Sequence, residues 1–167
     1  NCGENMGFMD WIKQRVENHH MNVIYGNVYR SFANTETIMS NDWFDKLHDV
    51  LKRYAEGSIH IITARKKLMF YAKWAGESYP TMIKLTNDVN LKDIKETGEY
   101  KKDPDFYPRF LKHRDFFKES TVVVKDMRKI FLNMLAILED REKMLKYLTQ
   151  FSRKIAEFKA LAKKYSL

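Results

Sequence analysis

The sequence predicts an all-α protein, a single domain over residues 1–167 built as a bundle of about four to five helices. Three observations carry that prediction. Only six glycines and three prolines occur in 167 residues. All three prolines, Pro80, Pro104 and Pro108, fall between positions 80 and 108, so two long tracts are free of the strongest breakers. Along both tracts apolar residues recur at steps of three and four, the period of a packed helix face. A sandwich or barrel needs a turn signal every 8–12 residues or so, and the sequence lacks them.

The first helix is expected over 6–32, where Phe8, Ile12, Val16, Val23, Ile24, Val28 and Phe32 stand at helical spacing. The polar string from Asn34 to Asn41 reads as a connection in which Ser40 or Asn41 caps the next helix. From Trp43 a heptad seam runs through Phe44, Leu47, Leu51, Tyr54, Ile61, Leu68, Ala72 and Ala75. If continuous, a helix from Asp42 to Ala75 is about 50 Å long. Gly57 is where it is expected to kink or stop, because glycine costs about 1 kcal/mol relative to alanine inside a helix. Gly76 reads as the residue just past its end, and Ser78 with Pro80 as the start of a shorter helix carrying Met82, Ile83 and Leu85. Residues from Asn87 to Pro108 read as a loop with a short helical piece.

The longest periodic signal comes last. Met127, Met134, Arg141, Leu148, Ile155 and Ala162 occupy one seam position, and Ile130, Ile137, Met144, Phe151, Phe158 and Tyr165 follow three residues after each. Arg141 is the one polar member. A strict repeat of seven predicts one helix over most of Lys125 to Lys164, packed along much of its length. Phe131, Leu135, Leu138 and Leu145 widen the apolar stripe, so more than one neighbouring helix is expected against it.

A single core is the norm at 167 residues, and a hydrophobic fraction of 44% with 14% aromatic residues is far too rich for a disordered chain. The single cysteine, Cys2, excludes an internal disulfide and favours a reducing, cytoplasmic compartment. Secretion stays open, because a cleaved signal peptide leaves no trace in the mature chain. Apolar runs are far shorter than the ~18 residues that a spanning helix needs. A formal charge of +8 favours acidic partners, whether anionic lipid, nucleic acid or an acidic protein surface. Eleven Lys/Arg against five Asp/Glu from Ser120 to Leu167 give that segment a balance of +6.

Motifs with catalytic or metal chemistry are few. Glu17 and His20 form the Glu-x-x-His spacing of di-iron bundles, but such sites need a second pair and two further carboxylates, and no second pair occurs. His19, His48, His60 and His113 form no ligand spacing. Cys2 is among the chain's first residues, where chains usually fray, so it is expected to be inert rather than a nucleophile held beside a base. Phosphate-loop, dinucleotide, hydrolase and zincin strings are absent. The expectation is therefore a non-enzymatic protein with no metal and no cofactor.

One constellation stands out. Between Tyr100 and Lys118 the cations Lys101, Lys102, Arg109, Lys112, Arg114 and Lys118 interleave with Phe106, Tyr107, Phe110, Phe116 and Phe117. Cations attract phosphate while aromatic rings insert at a lipid interface or stack on bases, which suits an anionic membrane, an acidic partner or single-stranded nucleic acid. Equally, Phe110, Leu111, Phe116 and Phe117 read as the buried face of a helix whose solvated face is basic.

The long seams, the short leading helix and the basic surface resemble the BAR and F-BAR membrane-shaping families. The local pattern spans about thirty residues: Phe44, Leu47, then Arg65-Lys66-Lys67-Leu68 leading into Tyr71-Ala72-Lys73. Lys67, Leu68, Met69 and Phe70 stand where that family usually carries an acidic residue. The resemblance implies an antiparallel helical coiled coil that dimerises into a lipid-binding rod. Together with the charge, it leads to the expectation of a helical interaction module that self-associates or binds a protein partner and engages anionic membrane. A secreted or effector-type bundle binding a protein receptor through one exposed helix face is the alternative. Nucleic-acid binding ranks behind both, because no helix-turn-helix, zinc or RNP string accompanies the charge.

Overall fold

The computed structural model describes residues 42–88 and 105–167, together with Met9, Ile12, Lys13, Arg15, Val16, His19, Val23, Gly26, Asn27, Arg30 and Ile38. The protein is all-helical, as the periodicity requires. Five α-helices are formed among the described residues: α1 (Trp43–Ala55), α2 (Ile61–Lys73), α3 (Tyr79–Asp88), α4 (Phe106–Ala136) and α5 (Arg141–Lys164). A π-turn, Trp74–Ser78, fuses α2 and α3 into one rod, so these five helices form four rods. None of these helices is long and apolar enough to cross a membrane.

Ring contacts set the directions. Phe44 meets Phe158, His48 meets Phe151 and Arg141 lies 5.4 Å over Tyr54, so α1 runs antiparallel to α5. Tyr71 meets Phe131, Gly76 faces Arg128 and the Tyr79 hydroxyl bonds Ser120, so the α2–α3 rod runs antiparallel to α4. Phe116 on Phe158 and Phe131 on Phe151 pair α4 with α5, again antiparallel. The core is these rings with Leu47, Leu51, Leu68, Met127, Met134 and Met144, all fully buried. Each edge-to-face pair contributes about 0.5–1.5 kcal/mol beyond the area it removes from water.

The helix expected from Asp42 to Ala75 is broken where Gly57 stands. Gly57 has φ +83 and its N–H bonds the Tyr54 carbonyl at 2.9 Å, while the Ser58 N–H returns to Arg53 at 2.7 Å. That pair of bonds is a Schellman end, which needs a left-handed residue. His60 then caps α2, its Nδ1 accepting the Ile62 N–H at 3.2 Å. An added Cβ on Gly57 would also lie 3.0 Å from the Arg141 guanidinium. Gly57→Ala is expected to cost about 1–2 kcal/mol from the left-handed backbone, read as a lowered midpoint of urea unfolding with the slope unchanged.

Three further expectations are corrected. The N-cap of α1 is Asp42, in a left-handed conformation without a side-chain cap bond, rather than Ser40 or Asn41, which lie outside the described residues. Gly76 ends no helix, for the chain continues through the π-turn, in which the Tyr79 N–H reaches back to the Trp74 carbonyl. Pro80 explains the widening, because a proline lacks the N–H for its i−4 partner and its ring collides with that carbonyl in a regular helix. The missing side chain at Gly76 makes room for Arg128, whose Nε lies 2.5 Å from where a Cβ would sit. Of the loop expected from Asn87 to Pro108, Asn87 belongs to α3 and Pro108 to the first turn of α4. That turn needs no intrahelical donor at Pro108.

The single helix over Lys125 to Lys164 is also broken, at residues 137–140. Asp140 ends the turn and caps α5, its carboxylate accepting the Lys143 N–H at 3.1 Å and pairing with the Lys143 ammonium at 2.8 Å. Tyr54 fixes this turn from α1 through a buried hydrogen bond from its hydroxyl to the Leu138 carbonyl. The Lys143 ammonium and backbone N–H hold the Asp140 carboxyl below its ordinary range. Lys164 and the Tyr165 hydroxyl do the same for Glu119. Both groups bind a proton less readily folded than unfolded, so their contribution is complete above the unfolded value near ~4 and is lost as pH falls through the lower folded value. The melting temperature is expected to drop on acidification below about pH 4. Asp140→Ala should lower it by a few degrees at neutral pH and flatten part of that acid slope.

Within the helix expected over 6–32, the described residues have helical backbone. Val16 and Val23 are exposed rather than part of a buried face, and Ile12 is half-buried. Phe8, Ile24, Val28 and Phe32 lie outside the described residues.

Candidate functional site

The rods differ in length, and that mismatch creates the site. Helix α4 has 31 residues against 24 in α5 and 13 in α1. Because α1 begins level with Phe158 and α5 ends soon after it, the first turns of α4 extend past both neighbours. A half-open groove of about 1010 Å³ lies there. Its floor is Ile38, Phe44, Phe158 and Ala162, with Trp43 on the α1 side. Arg109 and Lys112 line the α4 wall, and Lys159 and Lys163 the α5 wall. Asp42 is the acidic side chain among these lining residues, and His113 is buried beneath the rim with its Nδ1 2.7 Å from the Arg109 carbonyl oxygen. At the far end α5 closes in a second Schellman turn, with Ser166 at φ 56 and the Leu167 N–H bonding Ala162 at 2.9 Å.

Ion pairing divides the cations around the groove. Lys159 pairs with Asp45 of α1, and Lys164 with Glu119 of α4 at 2.8 Å. Further along, Lys154 bridges Asp126 at 3.1 Å and Glu157 at 2.7 Å, which raises the pKa of its ammonium. Lys112 and Lys163 are exposed and no ion pair joins either to an acidic group among the described residues. Cations without a protein partner keep their attraction for an external anion, whereas Lys159 and Lys164 must first give up a carboxylate.

The cationic stretch read from the sequence is thus divided by its helix. Arg109 and Lys112 reach the groove. Lys118 is exposed, and Arg114 has only 27% of its side chain accessible, with its Nε 3.5 Å from Asp115. A helix turns about 100° per residue, so Lys112 and Arg114 project from opposite flanks of α4. Lys101 and Lys102 lie outside the described residues. The aromatic half of the constellation resolves in favour of the core: Phe110, Phe116 and Phe117 are fully buried.

Lys159 and Lys163 were not singled out by sequence reasoning. Their spacing of four residues puts both on one face of α5, and the excess positive charge of the last segment was their signal. Trp43 and Phe44 were legible only as seam residues. Among the described residues no group of three or more His, Cys, Asp or Glu is assembled. Glu17, His20 and Cys2 lie outside them.

Comparison with protein families, with curated proteins and with solved structures finds no match for this chain.

Proposed function

We propose that this protein is a non-enzymatic helical interaction module, cytoplasmic and peripheral to membranes, that engages anionic lipid surfaces through the cationic groove. The observation that carries the reading is the convergence of Arg109, Lys112, Lys159 and Lys163 on one groove, with Lys112 and Lys163 exposed and without an acidic partner among the described residues. Anionic headgroups supply the missing counter-charge, and each Lys or Arg near such a surface contributes about 1 kcal/mol. The resemblance to the F-BAR pattern supports the same partner class. In that run Tyr71 and Ala72 are core residues, leaving Arg65, Lys66, Lys67 and Lys73 exposed on α2. Self-association into a longer coiled coil belongs to this reading as well.

The protein is expected to sediment with vesicles containing acidic lipid at low salt and to be released as salt rises, because screening acts within a Debye length of roughly 8–10 Å. Equal binding to neutral and acidic vesicles, or none to either, overturns the reading.

A second reading rests on a different face. Ile62, Met69 and Phe70 of α2 are 67%, 58% and 51% exposed, and with Lys66 and Lys73 they follow helical seam spacing on the side away from the core. A protein partner docking there through a helix with acidic flanks is favoured by that stripe. Binding to a protein that survives loss of vesicle binding would select it.

A further inference from the structure

We infer that the outer face of α2 binds an amphipathic partner helix that carries a carboxylate in the middle of its apolar seam, with Phe70 as the anchor. The inference rests on the protein-partner reading of that stripe and adds to it the partner's pattern and the residue that holds it. Successive residues of a helix turn by about 100°, which sets Ile62, Lys66, Met69, Phe70 and Lys73 within about 60° of one direction. Ala64, Leu68 and Tyr71 point the opposite way and are buried. Helix α2 is thus apolar on both sides, the pattern of a helix that is covered on both. The neighbouring rods differ. Asp45, Asp49 and Lys52 are exposed on α1, and Glu142, Lys146 and Arg153 on α5, where Leu145 alone is a large exposed apolar side chain. Single exposed apolar residues are ordinary, whereas three within about three turns mark a contact surface.

Phe70 is held ready for such a contact. Its ring meets Trp43 at 6.0 Å and Tyr71 at 5.4 Å, and the Tyr71 hydroxyl donates to the Trp43 carbonyl oxygen at 3.1 Å, tying α1 to α2 at that point. Phe70 nevertheless stays 51% exposed. A ring already fixed by its neighbours loses little freedom on binding, which suits an interface anchor.

Charge then selects the occupant. The described residues are all helical and offer no strand edge to an extended peptide, so the partner packs as a helix, side chain against side chain. A helix that covers Ile62 and Phe70 also covers Lys66, one turn from each. Lys66 is exposed and no ion pair joins it to an acidic group among the described residues. Lys73 meets Glu77 only at 4.0 Å, with the two side chains 73% and 70% exposed. Desolvating the Lys66 ammonium unpaired is unfavourable, so the partner brings a carboxylate between its two apolar turns. A second copy of this chain would set Arg65, Lys66, Lys67 and Lys73 against the same cations, and charge disfavours it. About 18 Å of one helix makes a contact at the low end of interface sizes, so the complex is a transient one.

The test uses the full chain and a fluorescently labelled synthetic peptide of about four helical turns with leucines along one seam. Three versions differ only at the central seam position, which is Glu, Gln or Lys. Anisotropy should show the Glu version binding about tenfold more tightly than the Gln version and the Lys version not binding. In Lys66→Glu that order should reverse, with the Lys version binding best. Phe70→Ala should weaken the Glu version by about tenfold or more. Ile62→Gln should weaken it several-fold, and this side chain is 67% exposed and outside the Trp43 contacts. Lys112→Glu with Lys163→Glu should leave it unchanged. Equal binding of the three versions, or an order that Lys66→Glu does not reverse, overturns the inference. If Phe70→Ala still weakens that charge-indifferent binding, a partner on the stripe stands and only its central carboxylate falls. Peptide binding indifferent to both Phe70→Ala and Ile62→Gln, or no binding of any version, removes the two together. A dimer of the chain that Phe70→Ala dissolves assigns the stripe to a second copy, and acidic-vesicle binding that Phe70→Ala abolishes assigns it to lipid; either overturns the inference.

Discussion

Replacing Leu148 or Ile155 with Asp is expected to cost about 4 kcal/mol or more, a large share of the roughly 5–15 kcal/mol that holds a domain folded. Both side chains are buried on α5, with relative exposures of 4% and 5%. They flank Phe151, which packs on Phe131 at 5.2 Å, and Phe158, which packs on Phe44 and Phe116. A carboxylate introduced there has no cation within the apolar cluster and must be desolvated or protonated. The variants should be largely unfolded by circular dichroism at 37 °C or so. Ile137→Asp should behave differently, although it belongs to the same heptad repeat. Ile137 is half-buried and is the C-cap of α4, so its charge reaches water, and a cost of about 1–2 kcal/mol is expected. An ordering with Ile137 the most sensitive would contradict the turn.

That difference shows what periodicity carries. The repeat from Met127 to Tyr165 identifies core positions well: Met127, Met134, Met144, Leu148, Phe151, Ile155, Phe158 and Ala162 are all buried. It does not show whether the helix continues, because two antiparallel helices that line one core both keep their apolar faces in register through a short turn. The break was marked by local chemistry instead. Arg141 is the polar exception in the seam, and Asp140 before it is an N-cap residue. Gly57 was legible for the opposite reason, since a glycine inside a seam has a definite cost. The π-turn at Trp74–Ser78 was not legible, because Gly76 and Pro80 fit a helix end as well as a widened turn.

The candidate site was half legible. Arg109 and Lys112 stood out by their density of charge, but a linear stretch does not say which cations share a surface, and α4 sends Arg114 and Lys118 away from the groove-facing pair. Lys159 and Lys163 are some fifty residues further on and meet Arg109 and Lys112 only because α4 and α5 fold back on each other. Trp43 and Phe44 come from a third helix. Neither the groove nor its floor exists in any local segment.

Reversing Lys112 and Lys163 together is the second change with a large expected effect. Both are exposed, so Lys112→Glu with Lys163→Glu should leave the melting temperature nearly unchanged, yet it swings the groove's rim by four charge units and sets two carboxylates where the proposed headgroups would dock. The matched control is Lys125→Glu with Lys129→Glu, both exposed further along α4, which changes net charge by the same amount away from the groove. The decisive measurement is the fraction of each variant that sediments with acidic vesicles at low salt. Binding lost in the groove variant and largely kept in the Lys125/Lys129 control is the predicted result, and equal loss in both would mean that net charge, not the groove, draws the protein to the surface.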